Sequence, residues 1–191
     1  MKKMICTLAA LALTLCVNAQ TVKVSEAATW EWNDMSANDV ISDNVAKEVN
    51  GLYIRGGKDA HEIVAKRSTP KITLKDGSLL KPRNGAYQAG NKFWTMIKTS
   101  TMPDNSNDRL DRCYALQTTV PGTLTVVMKP KEGVEDRFAK MLFNAQEVQS
   151  FELDSPDPIE MTYTADKGGV FWFGADCYYY IYQVKFTPKA E

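Results

Sequence analysis

The chain has 191 residues, 44% of them hydrophobic, and its 23 basic and 23 acidic side chains cancel to a formal net charge of zero. That size suits one domain with a core of its own. No basic stripe is present to meet nucleic acid, and a single histidine, His61, excludes a multi-histidine zinc site. In chain order, Lys2 and Lys3 precede an apolar run from Met4 to Val17, and Val17-Asn18-Ala19 resembles a cleavage site with modest or small residues at −3 and −1. This is the pattern of a secretory signal peptide. The run is shorter than the ~20 residues of a transmembrane helix, and no other window approaches that length, so no transmembrane segment is expected. The sequence therefore divides into a signal peptide, residues 1–19, and a single β-sandwich domain, residues 20–191. The expected location is secreted, or periplasmic or cell-surface, after cleavage near Ala19. Lipoprotein anchoring through Cys16 fits less well, because the large Leu15 stands where that cleavage favours a small residue.

The remaining chain reads as strands. Val22-Lys23-Val24 and Thr29-Trp30-Glu31-Trp32 alternate, and Ser36 can cap one short turn, the sole helix candidate. Gly51 to Gly57 is a strand between glycines, with Leu52 and Ile54 on one face and Tyr53 and Arg55 on the other. Short strands follow at Ile63-Val64-Ala65 and Ile72-Thr73-Leu74. A turn-rich stretch then runs from Asp76 to Gly90, and Phe93 to Ile97 is a further strand. After a polar loop from Met102 to Asp108, strands are expected at Tyr114–Val120, Thr123–Met128, Phe138–Phe143, Ser150–Leu153, Ile159–Thr164, Val170–Phe173 and Tyr178–Phe186. Pro121-Gly122 reads as the hairpin turn between the first two of these. Short strands with a turn signal between each argue an all-β sandwich or barrel, and no helices alternate with them as a parallel α/β sheet requires.

No recognisable catalytic set emerges. His61 has no nucleophile elbow to serve. Asp104, Asn105, Ser106, Asn107 and Asp108 carry oxygen ligands, but Arg109 stands where a calcium loop has its turn glycine. No cofactor is expected, and structural calcium is not favoured. Asp154, Asp157 and Glu160 gather around a proline-stiffened turn, which suits solvated carboxylates better than a glycosidase pair. Cys113 and Cys177 survive signal-peptide removal, and pairing and two buried thiols both stay open. The aromatics are more informative, because sugar rings stack on exposed Trp and Tyr. Trp30, Trp32, Trp172, Tyr180, Tyr182 and Phe186 fall on faces expected to be buried. Tyr53, Tyr87, Trp94 and Tyr178 are the candidates for an exposed ligand-binding role, joined by Arg55, Arg109 and Arg112, whose guanidinium groups suit acidic sugars.

Several segments resemble a known group. They are Trp30-Glu31-Trp32-Asn33 with Ser36, Gly51-Leu52-Tyr53-Ile54, the run Ala115 to Val126 around Pro121-Gly122, Asp136-Arg137, Met161-Thr162-Tyr163-Thr164 with Gly168-Gly169, and Tyr180 to Phe186. In order and spacing they are similar to the β-sandwich accessory domains beside pectate lyases and related polysaccharide-degrading domains in secreted Bacteroidetes proteins. The chain departs from that pattern at Tyr114, where the group has an arginine, and in its long Asp76–Gly90 loop. The resemblance implies a jelly-roll-like antiparallel sandwich of the galactose-binding or carbohydrate-binding-module kind, in a glycan-related setting and without lyase activity. The expected function is a non-catalytic carbohydrate-binding or accessory module for a plant or host polysaccharide. A structural or adhesive domain holding a cell-surface protein and a small polysaccharide-cleaving enzyme are the alternatives.

Overall fold

Two tight turns and two crowded sheets explain most of the architecture. The computed structural model describes residues 23–31, 40–41, 46–55, 63–65, 72–73, 79–80, 87–89, 102, 113–131, 136–177 and 179–190. Within these the chain forms β1 (Ala28–Glu31), β2 (Val40–Ile41), β3 (Ala46–Val49), β4 (Leu52–Arg55), β5 (Ile63–Ala65), β6 (Ile72–Thr73), β7 (Leu79–Leu80) and β8 (Tyr87–Ala89). It continues through β9 (Cys113–Gln117), β10 (Gly122–Pro130), β11 (Phe138–Phe143), β12 (Gln146–Glu152), β13 (Ile159–Ala165), β14 (Val170–Ala175) and β15 (Tyr179–Pro188).

The strands make the expected all-β, two-sheet antiparallel sandwich. One sheet has the order β13-β10-β15-β8-β5-β2, with β1 also paired to β15. The other has the order β12-β11-β14-β9-β4-β3, and β6-β7 form a separate ribbon. The strand pairs are antiparallel, and one parallel bridge joins Val24 to Thr118. Alternation sends one side of each sheet inward. Leu124, Val126, Met128, Met161, Val184 and Phe186 meet Leu52, Ile54, Leu116, Met141, Phe171 and Phe173 in the core. Tyr114 stacks on Phe173 at a centroid distance of 5.5 Å, and Phe143 tilts against Phe171 at 4.8 Å. Each such ring contributes roughly 1.5–3 kcal/mol by leaving water.

Pro121-Gly122 is not a hairpin turn. β9 has β14 on one side and β4 on the other, so its sheet has no vacancy for the next strand. The chain crosses to the second sheet instead, where β10 settles between β13 and β15. Gly122 fits there because a Cβ would stand 2.5 Å from the Phe186 ring. Two tight hairpins go beyond the sequence expectations. Asn50 and Gly51 both have positive φ, 49° and 89°, and join β3 to β4. Asn144 and Ala145, at 47° and 66°, join β11 to β12. Two successive positive-φ residues match the right-handed twist of the flanking strands. The Ser36 turn, Trp32 and the Phe93–Ile97 strand lie outside the described residues, as do most of the Met102–Asp108 loop and His61.

Candidate functional site: the outer faces of the two sheets

Tyr53, expected at the surface, is buried at 7% exposure. It does point away from the sandwich core, as alternation requires, but an apolar cluster encloses it. Register sets Leu142, Trp172, Ala115 and Tyr53 in one row across four strands of the six-stranded sheet. Val170 joins this cluster, and Met102, from the segment between β8 and β9, packs against it. The Trp172 ring is fully buried, and among the described residues its Nε1–H has no acceptor. Arg55 stands at the end of β4, in register with Cys113. Tyr87 belongs to the other sheet, in register with Ile181, so the candidates do not gather on one face. Trp94, Arg109, Arg112 and Tyr178 lie outside the described residues.

The outer face of the seven-stranded sheet is different in kind. Along β15, Phe186 and Val184 point into the core, and simple alternation would send Tyr182 and Tyr180 after them. A β-bulge intervenes. Val127 of β10 pairs with Gln183, and the next residue, Met128, pairs with Ile181, leaving Tyr182 as an extra residue. The extra residue shifts the phase, so Ile181 and Tyr179 take the inward positions. Tyr180 and Tyr182 go to the outer face, where they pack with Val127. Trp30, Trp172 and Phe186 are buried as expected. Tyr182 is also buried, yet in this outer cluster rather than the core, and Tyr180 is half-buried. Burial, with Tyr180 beside it, raises the pKa of the Tyr182 hydroxyl above its ordinary value of 10.0.

Hydrogen-bonding side chains fill the rest of this face in ordered rows. Thr187, Thr123 and Thr164 form one row. Thr29, Lys185, Thr125 and Thr162 form the next. Glu31, Gln183, Val127 and Glu160 form a third, beside the tyrosines. Thr123 and Thr164 hydroxyls lie 2.8 Å apart, and those of Thr125 and Thr162 3.2 Å. Gln183 Nε2 donates to Glu31 Oε1 at 2.8 Å. Thr29, Glu31, Thr162, Thr164, Lys185 and Thr187 are exposed. The visible sequence signal was the paired pattern Thr-x-Thr at 123–125 and 162–164, which alternation turns outward on two neighbouring strands.

Other chemistry is sparse among the described residues. They hold no group of three or more His, Cys, Asp or Glu side chains placed to bind a metal ion, and no helix long and apolar enough to cross a membrane. Asp154 and Asp157 are exposed, and Asp157 accepts a hydrogen bond from Ser155 Oγ at 2.6 Å within its turn. Cys113 opens β9, and Cys177 follows the end of the neighbouring strand β14, where burial pushes its thiol pKa up to about 11.

No family model matches the chain, and no curated protein matches its sequence. Solved structures similar in shape include three carbohydrate-related ones. A Podospora anserina GH26-CBM35 β-(1,4)-mannanase shares 10% identity, with a TM-score of 0.41, over 88% of this chain and 29% of its own. The CBM51 of Clostridium perfringens GH95, solved with methyl-galactose, shares 5% over 84% of this chain and all of its own, with a TM-score of 0.37. The CBM51-2 and INT domains of Clostridium perfringens ZmpB, solved with GlcNAc, share 7% over 84% of this chain and 32% of their own, with a TM-score of 0.39. This chain therefore spans about a third of the mannanase and of the ZmpB fragment.

Proposed function

We propose that this protein is a non-catalytic carbohydrate-binding or accessory module and that its ligand lies on the outer face of the seven-stranded sheet. The observation that carries this reading is the β15 bulge, which turns Tyr180 and Tyr182 outward beside rows of hydroxyl, amide, carboxylate and ammonium groups. A sugar ring has an apolar face for an aromatic ring and hydroxyls for polar neighbours. Tyr180 supplies the partly exposed ring, while Gln183, Glu31, Lys185 and the threonines supply donors and acceptors within one or two strands. A polysaccharide of plant or host origin is the proposed ligand. An exported location, after cleavage near Ala19, belongs to the same proposal and rests on the Lys2–Ala19 pattern. An accessory role beside polysaccharide-degrading domains rests on the strand motifs alone.

Isothermal titration of the purified chain against soluble pectins, xylans and host glycans tests it. At least one ligand is expected to give saturable heat, and Tyr180→Ala is expected to weaken that ligand about tenfold, the scale of one lost ring contact. Silence across the panel from folded protein, or binding indifferent to Tyr180, removes the proposal.

A further inference from the structure

Charge is unevenly spread over the outer face of the seven-stranded sheet. Toward the Gly122 end of β10 its rows hold Thr187, Thr123 and Thr164, then Thr29, Lys185, Thr125 and Thr162. Lys185 is the one ionised side chain of these two rows, with a threonine opposite it on either side. It is exposed, and among the described residues no carboxylate lies within ion-pair reach of its Nζ. The acids bordering the rows are engaged or remote. Glu31 accepts the Gln183 amide at 2.8 Å, Asp166 lies 3.5 Å from Lys189 Nζ, and Glu160 stands two strands away on β13. An ammonium has three donors and no acceptor, and threonine hydroxyls can donate beside it. Such a patch suits an anion.

We infer that the ligand of this face is an acidic polysaccharide, one of whose carboxylate or sulfate groups is taken by Lys185 between Thr29 and Thr125. This rests on the reading of the face as a glycan site and names the class of glycan. Tyr180 stands opposite Lys129 of β10, and Lys185 stands opposite Thr125. Those two positions on β10 are ~13 Å apart at the rise of a strand. A single sugar ring is shorter than that. The ring on Tyr180 and the anion on Lys185 therefore belong to different sugars of one chain running along β15. Lysine presents a point charge, without the planar fork that guanidinium sets on a carboxylate. The patch thus selects charge ahead of any choice between carboxylate and sulfate.

Titration calorimetry of the purified chain against polygalacturonate, its methyl ester and dextran sulfate tests this. The ester keeps the backbone and removes the charge. The parent is expected to bind a charged polymer at least about fivefold more tightly than the ester, the scale of one exposed ion pair, and added salt should narrow that gap. Preference for polygalacturonate assigns the anion as carboxylate, and preference for dextran sulfate assigns it as sulfate. Lys185→Gln, which keeps a donor and removes the charge, should lose about fivefold toward the charged polymer and nothing toward the ester. Circular dichroism establishes that the variant is folded. Equal binding of charged and esterified polymer, or binding indifferent to Lys185→Gln, overturns the acidic ligand while sensitivity to Tyr180→Ala still upholds the face. Silence toward all glycans, or indifference to Tyr180→Ala, overturns both.

Discussion

Asp176 shows how much a single side chain settles. It is 8% exposed and sits where the chain leaves β14 for β15. Its Oδ1 accepts the Phe138 amide at 2.8 Å, and its own amide donates to the Phe138 carbonyl at 3.1 Å, clipping the crossover to the start of β11. Burial raises its carboxyl pKa above the ordinary 3.8, and the Phe138 N–H and the Arg137 guanidinium, 4.0 Å away, offset part of that. A folded-state pKa above the unfolded value means that the contribution is full below the ordinary carboxylate range. It is lost as pH rises through the folded value. Asp176→Asn keeps an acceptor for Phe138 and removes the charge. Its melting temperature should match or exceed the parent's at neutral pH, with that advantage shrinking as pH falls toward the acid range. Asp176→Ala leaves the Phe138 amide without its acceptor and should cost about 1–3 kcal/mol in urea unfolding. If Asp176→Asn is instead as damaging as Asp176→Ala, the charge itself stabilises the fold. Ala145, at a φ of 66°, argues the other way. Glycine accepts that conformation without a Cβ clash, so Ala145→Gly should stabilise by up to ~1 kcal/mol in the same assay.

At the scale of strands, legibility followed alternation. Phe138–Phe143 coincides with β11, and Ile159–Thr164 and Val170–Phe173 fall within one or two residues of β13 and β14. These segments have bulky residues on one face, and period two was enough to find them. β3 was missed because Ala46-Lys47-Glu48-Val49 is neither alternating in hydropathy nor β-branched until its last residue. The Asn50-Gly51 pair was the available clue, since that dipeptide suits a two-residue hairpin. Alternation also cannot say which sheet a strand joins, and so Pro121-Gly122 read as a hairpin. The outer tyrosines were hidden for a related reason. Counting back by twos from Phe186 puts Tyr182 and Tyr180 in the core, and only the pairing with β10 reveals the extra residue. Gly168-Gly169 packs closely against Thr118-Thr119 ahead of β14. Thr118 and Gly169 exchange both backbone hydrogen bonds, at 2.8 and 3.0 Å, so the chains touch. A Cβ on Gly168 would meet the Thr119 carbonyl carbon at 2.6 Å, and backbone cannot swing aside. Gly168→Ala should therefore cost about 1–3 kcal/mol by denaturant unfolding, the range for forced overpacking. An unchanged midpoint would mean that this crossing yields easily.

At the scale of the whole molecule, the two sheets present outer faces of opposite character. Tyr53, Ala115, Leu142, Val170 and Trp172 close the face of the six-stranded sheet as an apolar cluster, with Met102 packed on it. The seven-stranded sheet keeps Thr162, Thr164, Lys185 and Glu31 exposed in rows beside Tyr180. A ligand that needs an aromatic ring together with donors and acceptors therefore has the second face to meet. Thr162→Val removes one hydroxyl of the Thr125–Thr162 pair from that face. It should weaken the ligand found by titration a few-fold, the scale of one lost hydrogen bond, with circular dichroism establishing that the variant is folded. Tyr53→Phe, in the cluster on the other sheet, should leave that affinity unchanged. Weakening by Tyr53→Phe with none by Thr162→Val would place the ligand on the six-stranded sheet and contradict a face centred on Tyr180.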